Sequence, residues 1–230
     1  MPCSSHLGLS LALDRVVAMR PRRVLDVGVG LGKWGFLLRE AFDYIHGRFE
    51  REEWQLKIDG IDAHRYDSPL LDWVYDDVRF VDVLDVVGEL AGYDVVVIGD
   101  AIEHFQKDQG LSLLDALLRQ NRNVVLTTPL EFFDQHRDDN PYENHRSHWT
   151  IDDFARWVFD YDVAGGFQIV VSLAGRGADQ PRPADARASR IAYGIPLLAR
   201  RGAAARVVKQ LVRPILSGPQ HEERRLRNSR

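Results

Sequence analysis

The sequence holds a single cysteine among 230 residues, Cys3. That excludes an internal disulfide and a cysteine-based metal cluster, and it fits a reducing compartment. Cys3 stands near the N-terminus and is assigned no chemistry. Long apolar runs are also missing: no stretch of roughly 18 apolar residues occurs, so no membrane-spanning helix is expected. The segment 7–19 approaches a signal sequence in apolarity, but Asp14 and Arg15 interrupt it, and no basic leader or small-residue cleavage site accompanies it. It reads as an amphipathic helix ahead of the first strand, and the chain reads as cytoplasmic. No internal repeat is visible. Basic residues are thin over most of the chain: residues 1–199 hold 21 Lys and Arg against 32 Asp and Glu. Phosphate neutralisation needs clustered Lys and Arg, so no nucleic-acid surface is expected on this acidic body.

The remaining segment, 200–230, reverses the balance with 9 basic residues against 2 acidic ones, while the whole chain carries −4. The expected division is therefore a single α/β domain at 1–199, long enough to bury its own core, followed by a basic tail. Within the tail, 203–216 places Val207, Val208, Leu211, Val212, Ile215 and Leu216 opposite Arg206, Lys209 and Arg213. This pattern predicts a basic amphipathic helix that docks on the body or a partner subunit, as in a homodimer, with weak contact to an anionic membrane as the alternative. Residues 217–230 have too few apolar side chains to fold alone, and disorder is expected there.

What the sequence does contain begins at Val24. A short β-branched run leads through Asp26 into Gly28, Gly30 and Gly32 at alternate positions, and then into a helical pattern. Glycines there permit positive φ and close approach by a ligand, and the following helix directs free N–H groups toward it. Strand patterns recur at 24–27, 57–62, 78–83, 94–98, 123–127 and 167–173, with a seventh at 190–198. Helical spacing occupies 33–42, 84–91, 109–120 and 151–161. Leu111, Leu114, Leu117 and Leu118 form a stripe that reads as core packing. Such alternation predicts a mostly parallel sheet with helices on both faces, whose ligands bind beyond the C-terminal strand ends. Residues 129–150 are polar and aromatic without a period and read as an ordered lid, whereas 174–189 reads as an excursion between the last two strands.

Each residue that closes a strand is then a candidate. Asp62 ends the second strand, where a carboxylate can accept from vicinal ribose hydroxyls; Asp59 competes but falls inside the strand. Asp82 is placed to accept from an adenine amine, with Asp85 as competitor or as a helix N-cap. After the fourth strand, Asp100, Glu103 and His104 are expected to project into the crevice.

Four motifs in this order resemble the class I S-adenosylmethionine-dependent methyltransferases. The loop Asp26-Val-Gly28-Val-Gly30-Leu-Gly32 is similar to that superfamily's first motif, and Asp62 and Asp82 match its ribose and adenine acids. Asp100-Ala-Ile-Glu103-His104-Phe105 resembles the D-x-L-E-H stretch of many small-molecule methyltransferases, and 124–129 resembles their fifth strand. The segments 32–40 and 140–150 look like a bacterial subgroup of that superfamily. The resemblance implies a Rossmann-like sheet of seven strands with the last antiparallel. It also implies S-adenosyl-L-methionine as cofactor, with Asp26, Gly28, Gly30, Gly32, Asp62, Asp82 and Asp100 around it. It supplies the cofactor and not the acceptor.

A methyl on sulfonium is already activated, so alignment and, for a hydroxyl acceptor, a general base are what the protein must add. His148 is the first candidate base and His104 the second; His136 and His145 lie in the same region, and histidine titrates near neutrality. Arg146 suits an acidic acceptor, or alternatively an ion pair with Glu143. Glu103, Tyr142, His145 and Trp149 complete the expected acceptor side, and Trp34, Tyr142 and Trp149 either wall the pocket or pack the lid. Thr150 with Asp153 reads as a capping pair opening the helix at 151–161. No metal is expected: Asp139-Asn140 stands about ten residues beyond the fifth strand, unlike catechol-type enzymes. A His/Asp site from Asp100, His104, His145 and His148 is the weaker alternative. The expected activity is methyl transfer to a small-molecule or glycan-like acceptor at oxygen; the alternative is a cofactor-binding regulatory or partner subunit without transferase activity.

Overall fold

The computed structural model describes residues 5–178. The strand expected at 190–198, most of the excursion at 174–189 and the tail at 200–230 lie outside these residues. Seven strands form one sheet: β1 (Arg23–Val27), β2 (Lys57–Asp62), β3 (Asp77–Phe80), β4 (Val95–Gly99), β5 (Asn123–Pro129), β6 (Phe159–Ala164) and β7 (Gln168–Ala174). Their order is β3-β2-β1-β4-β5-β7-β6. Strands β1 to β5 pair in parallel, and β7 runs antiparallel to both β5 and β6. Five helices accompany it among the described residues: α1 (Leu9–Met19), α2 (Lys33–Phe42), α3 (Leu70–Val74), α4 (Val83–Val86) and α5 (Lys107–Gln120). None is long and apolar enough to cross a membrane.

The central strands are apolar throughout because both faces are covered. Val95 and Val97 of β4 join Val24, Ile58, Ala12, Val16, Trp34 and Leu38 in one core, under α1 and α2. Val96 and Ile98 point the other way and meet Leu25, Val27, Leu113, Leu114 and Leu117 under α5. The leucine stripe of α5 packs in this second core, with Leu111 partly buried at its margin. Strand order reverses between β1 and β4, and a crevice opens beyond their C-terminal ends.

The helix expected at 151–161 does not form. The Thr150–Asp153 pair is present, with the Thr150 N–H and hydroxyl both donating to Asp153 Oδ2, but the turn it opens is a 3₁₀ turn, Ile151–Phe154. The chain then enters β6, which supplies the seventh strand of the described sheet. Phe159-Asp-Tyr-Asp-Val-Ala164 alternates with period two, and Gly165 and Gly166, both at positive φ, close a hairpin to β7. Asp160 and Asp162 share one face, where Arg15 of α1, only 5% exposed, pairs with both at 3.0 and 2.8 Å. The charge that interrupts the apolar run at 7–19 thus anchors α1 to the sheet.

Candidate active site

At the end of β1, Gly28, Gly30 and Gly32 adopt φ of 85°, 51° and 91°. This left-handed backbone is the reason glycine stands at each position. Gly28 N donates to the Ile61 carbonyl at 2.8 Å, which ties the loop to the end of β2. Gly28, Gly30, Lys33 and Trp34 line a cleft of about 660 Å³. Asp62, closing β2, also faces the cleft; its Oδ2 accepts from Gly30 N and its Oδ1 from His64 N, each at 2.9 Å. Burial pushes its pKa up against those two hydrogen bonds. Asp82 lines the cleft from the start of α4, where its Oδ1 caps the helix by accepting from Leu84 N at 3.0 Å.

Asp100 follows β4 with φ of 50°, a conformation unusual for a residue with a side chain. Three residues hold it there. Its N–H donates to Thr127, while its carboxylate accepts from Ser5 N at 2.6 Å, from the Thr127 hydroxyl at 2.8 Å and from the Gln168 amide. Burial nevertheless raises its pKa, with Lys33 opposing. Glu103, 3% exposed, accepts from the Thr128 hydroxyl at 3.0 Å; burial and then the nearby Asp100 charge push its pKa well up.

The segment 129–150 lies over this crevice. Tyr66, from the loop after β2, donates its hydroxyl to Glu143 at 2.6 Å and accepts from Asn140 Nδ2 at 2.8 Å. On the other side, Arg146 N and Ser147 N both donate to the Glu103 carbonyl, at 2.8 and 3.1 Å. These contacts bring His145 against His104, with ring centroids 5.0 Å apart. Burial lowers the pKa of both imidazoles, so each is neutral near pH 7. Their Nδ1 atoms face the Asn144 and Phe133 carbonyls at 3.2 and 2.9 Å, which selects the Nδ1–H tautomer and leaves Nε2 as the basic nitrogen.

A search of solved structures finds this architecture. The N-terminal domain of EvdMO1 with SAH bound matches at a TM-score of 0.52 and 15% identity, covering 75% of this chain and 83% of that one. The same domain in the presence of SAH and D-fucose gives 0.51 at 14%, covering 72% and 83%. An O-methyltransferase family protein from Burkholderia thailandensis gives 0.50 at 15%, covering 73% of this chain and 55% of that one. The fold is that of the class I methyltransferases. No protein-family model matches the sequence, and no curated protein matches it.

On this methyltransferase fold, the cleft brings together Gly28, Gly30, Asp62, Asp82, Asp100, Glu103, His104, Tyr142, His145 and Arg146 of the expected site. Four others fall elsewhere. Asp26 is fully buried beneath the loop and accepts from the Tyr75 hydroxyl. Gly32 is the N-cap of α2 and packs toward Leu70. His148 is exposed between the buried Ser147 and Trp149, with Nε2 on the Leu130 carbonyl at 3.0 Å. Trp149 is buried and stacks on Phe154 in the core under α5. Of the competing residues, Asp59 pairs with Arg23 and Tyr93 inside the sheet, Asp85 is exposed, and His136 is exposed beside Asp138. Arg146 is exposed and donates to the Pro141 carbonyl. Sequence patterns missed Tyr66, Ser5 and Gln168. Their contacts with 140–143 and Asp100 span 68 to 95 residues, and no local period reports on those.

Proposed function

We propose that the chain is an S-adenosylmethionine-dependent methyltransferase acting on a small-molecule or glycan-like acceptor at oxygen. The observation that carries this reading is the convergence of a positive-φ glycine loop, Asp62, Asp82 and Asp100 on one cleft at the strand-order reversal. The residues fit the cofactor. Gly28 and Gly30 put bare backbone on the wall, Trp34 Nε1 is a buried donor with no partner among the described residues, and the volume suits a nucleoside-sized ligand. Fold neighbours crystallised with SAH accord with this assignment.

When bound, the cofactor supplies a sulfonium-activated methyl group. Asp62 keeps acceptor capacity for ribose hydroxyls while Gly30 N and His64 N hold its carboxylate in place. Asp82 stands where an adenine amine would be met, its orientation set by the cap to Leu84 N. Asp100, held by Ser5, Thr127 and Gln168, borders the methionine end together with Lys33. On the acceptor side, Phe132, Phe133 and Tyr142 line the cleft, each about half exposed, and His104 and His145 present neutral rings where the hydroxyl proton leaves. With the cofactor bound, an acceptor hydroxyl seated here would give up its proton on the imidazole side as it takes the methyl group. The cleft continues past Asp100 to these residues, and that open acceptor half favours a transferase over a cofactor-binding subunit.

Isothermal titration with S-adenosylmethionine and SAH tests the reading. Wild type is expected to bind both, and Asp62→Ala to bind about tenfold or more weakly, the size expected for losing hydrogen bonds to a charged group. No binding by wild type defeats the proposal, and unchanged binding by the variant defeats the ribose role of Asp62.

A further inference from the structure

We infer that Glu103, His104 and His145 form a binding site for a first-row divalent cation on the acceptor side of the cleft. One carboxylate oxygen and one ring nitrogen from each histidine lie within 4.8 Å of one another. Around an ion with bonds of ~2.1 Å, ligand atoms stand ~3.0–3.5 Å apart, so side-chain movements of about 1 Å close the site. All three residues line the cleft, which leaves coordination positions open to water or to an acceptor oxygen.

The surroundings are those a metal site needs. Each imidazole turns its Nδ1 to a backbone carbonyl, Asn144 for His104 and Phe133 for His145. Metal-binding histidines commonly donate one ring nitrogen to a carbonyl in this way, which fixes the tautomer and the ring orientation. Thr128 orients the Glu103 carboxylate from behind. Residues 103 and 104 come from the turn after β4, whereas His145 arrives from the overlying segment, which is docked on the Glu103 carbonyl by Arg146 N and Ser147 N. That pair of backbone hydrogen bonds ties the segment carrying His145 to the turn carrying Glu103 and His104. Two imidazoles and a carboxylate favour Zn²⁺, Mn²⁺, Fe²⁺ or Co²⁺ over Mg²⁺ or Ca²⁺, which prefer all-oxygen shells. The sequence alternative built on Asp100 and His148 is not this set: Asp100 is taken up by Ser5, Thr127 and Gln168, and His148 lies outside the cleft.

The existence of the site does not depend on methyl transfer, but its role deepens that reading. With the cation bound, His104 and His145 are ligands and give up the base role they have in its absence; an acceptor hydroxyl on the cation ionises more readily, and its proton passes to water.

Titration of the metal-free protein with Co²⁺, followed by visible absorption and without any cofactor, tests the site. Wild type is expected to take up stoichiometric Co²⁺ that Zn²⁺ displaces, and His145→Ala and Glu103→Gln to bind at least about tenfold more weakly. Absence of stoichiometric binding by wild type overturns the inference, as does equal affinity in His145→Ala. Glu103 is buried and its variant can fail to fold, but His145 lies in the overlying segment, so its variant decides the matter once its melting temperature matches wild type. Cofactor titration on the same samples keeps the two proposals separable, since either ligand can bind without the other.

Discussion

Asp26 is fully buried at the end of β1, its Oδ2 held by the Tyr75 hydroxyl and its Oδ1 without a partner among the described residues. Tyr75 in turn accepts from Gly35 N at 3.1 Å, so the acid of the glycine motif braces the start of α2 and does not enter the cleft. Burial pushes its pKa up from 3.8 to about 7. Between those values the native side chain keeps a proton that the unfolded chain has released. Its contribution to stability is therefore full below about pH 4 and is lost as pH rises through 7, with a slope of up to about 1.4 kcal/mol per pH unit. Asp26→Asn removes that component. Urea unfolding from pH 4 to 7 should show wild type losing stability relative to the variant, and parallel curves for the two proteins would count against the assignment. Arg39 is a second buried charge, paired with Asp43 at 2.6 Å and covered by Trp54, with both partners of the ion pair unexposed. Asp43 keeps a lowered pKa against its burial through hydrogen bonds from Gln55 N, Arg48 and Arg39. Replacing Arg39 by Met leaves part of that charge uncompensated, and a loss of about 3–5 kcal/mol is expected in chemical denaturation. A loss below about 1 kcal/mol would mean that Arg48 alone suffices.

At the scale of elements, the segment 129–150 is legible in sequence as a lid but not in its fastenings. Its aperiodic, aromatic composition marks it, whereas the hydrogen bonds from Tyr66 to Glu143 and from Asn140 to Tyr66 depend on where the loop after β2 runs. Tyr66→Phe removes both. Amide exchange in 140–146 should quicken with little change in melting temperature, and unaltered exchange would show that the backbone docking on Glu103 holds the segment unaided. Strand β6 teaches the reverse lesson. Its alternation and the Gly165-Gly166 pair stand in the sequence, but Ile151, Phe154 and Trp157 fall at helical spacing just before it, and the helix they suggest over 151–161 masks the strand. A three-residue capping signal starts a turn; it does not set how long the turn continues. Pairing with β7 and the Arg15 ion pairs decide that.

At the scale of the whole molecule, the cleft joins the ends of β1, β2, β4 and β5, so a ligand seated there bridges the middle of the sheet. A ligand that binds only the folded chain stabilises it by mass action, by about 2.7 kcal/mol at a hundred times its Kd. SAH should therefore raise the melting temperature of wild type in a concentration-dependent manner and do so far less for Asp62→Ala. A midpoint that ignores SAH concentration would contradict cofactor binding. By itself the sequence determined the alternating α/β order, the both-faces-buried strands, the glycine loop and the acids that close β2 and β4, because side-chain period and positive φ are set by residues close along the chain. Only the tertiary structure decided that Asp26 lies under the loop, that His148 and Trp149 leave the cleft, and that His145 meets Glu103 and His104. Those outcomes follow from strand order and from the path of a 21-residue connection between β5 and the 3₁₀ turn at Ile151, and no pattern of neighbouring residues encodes contacts closed across such a distance.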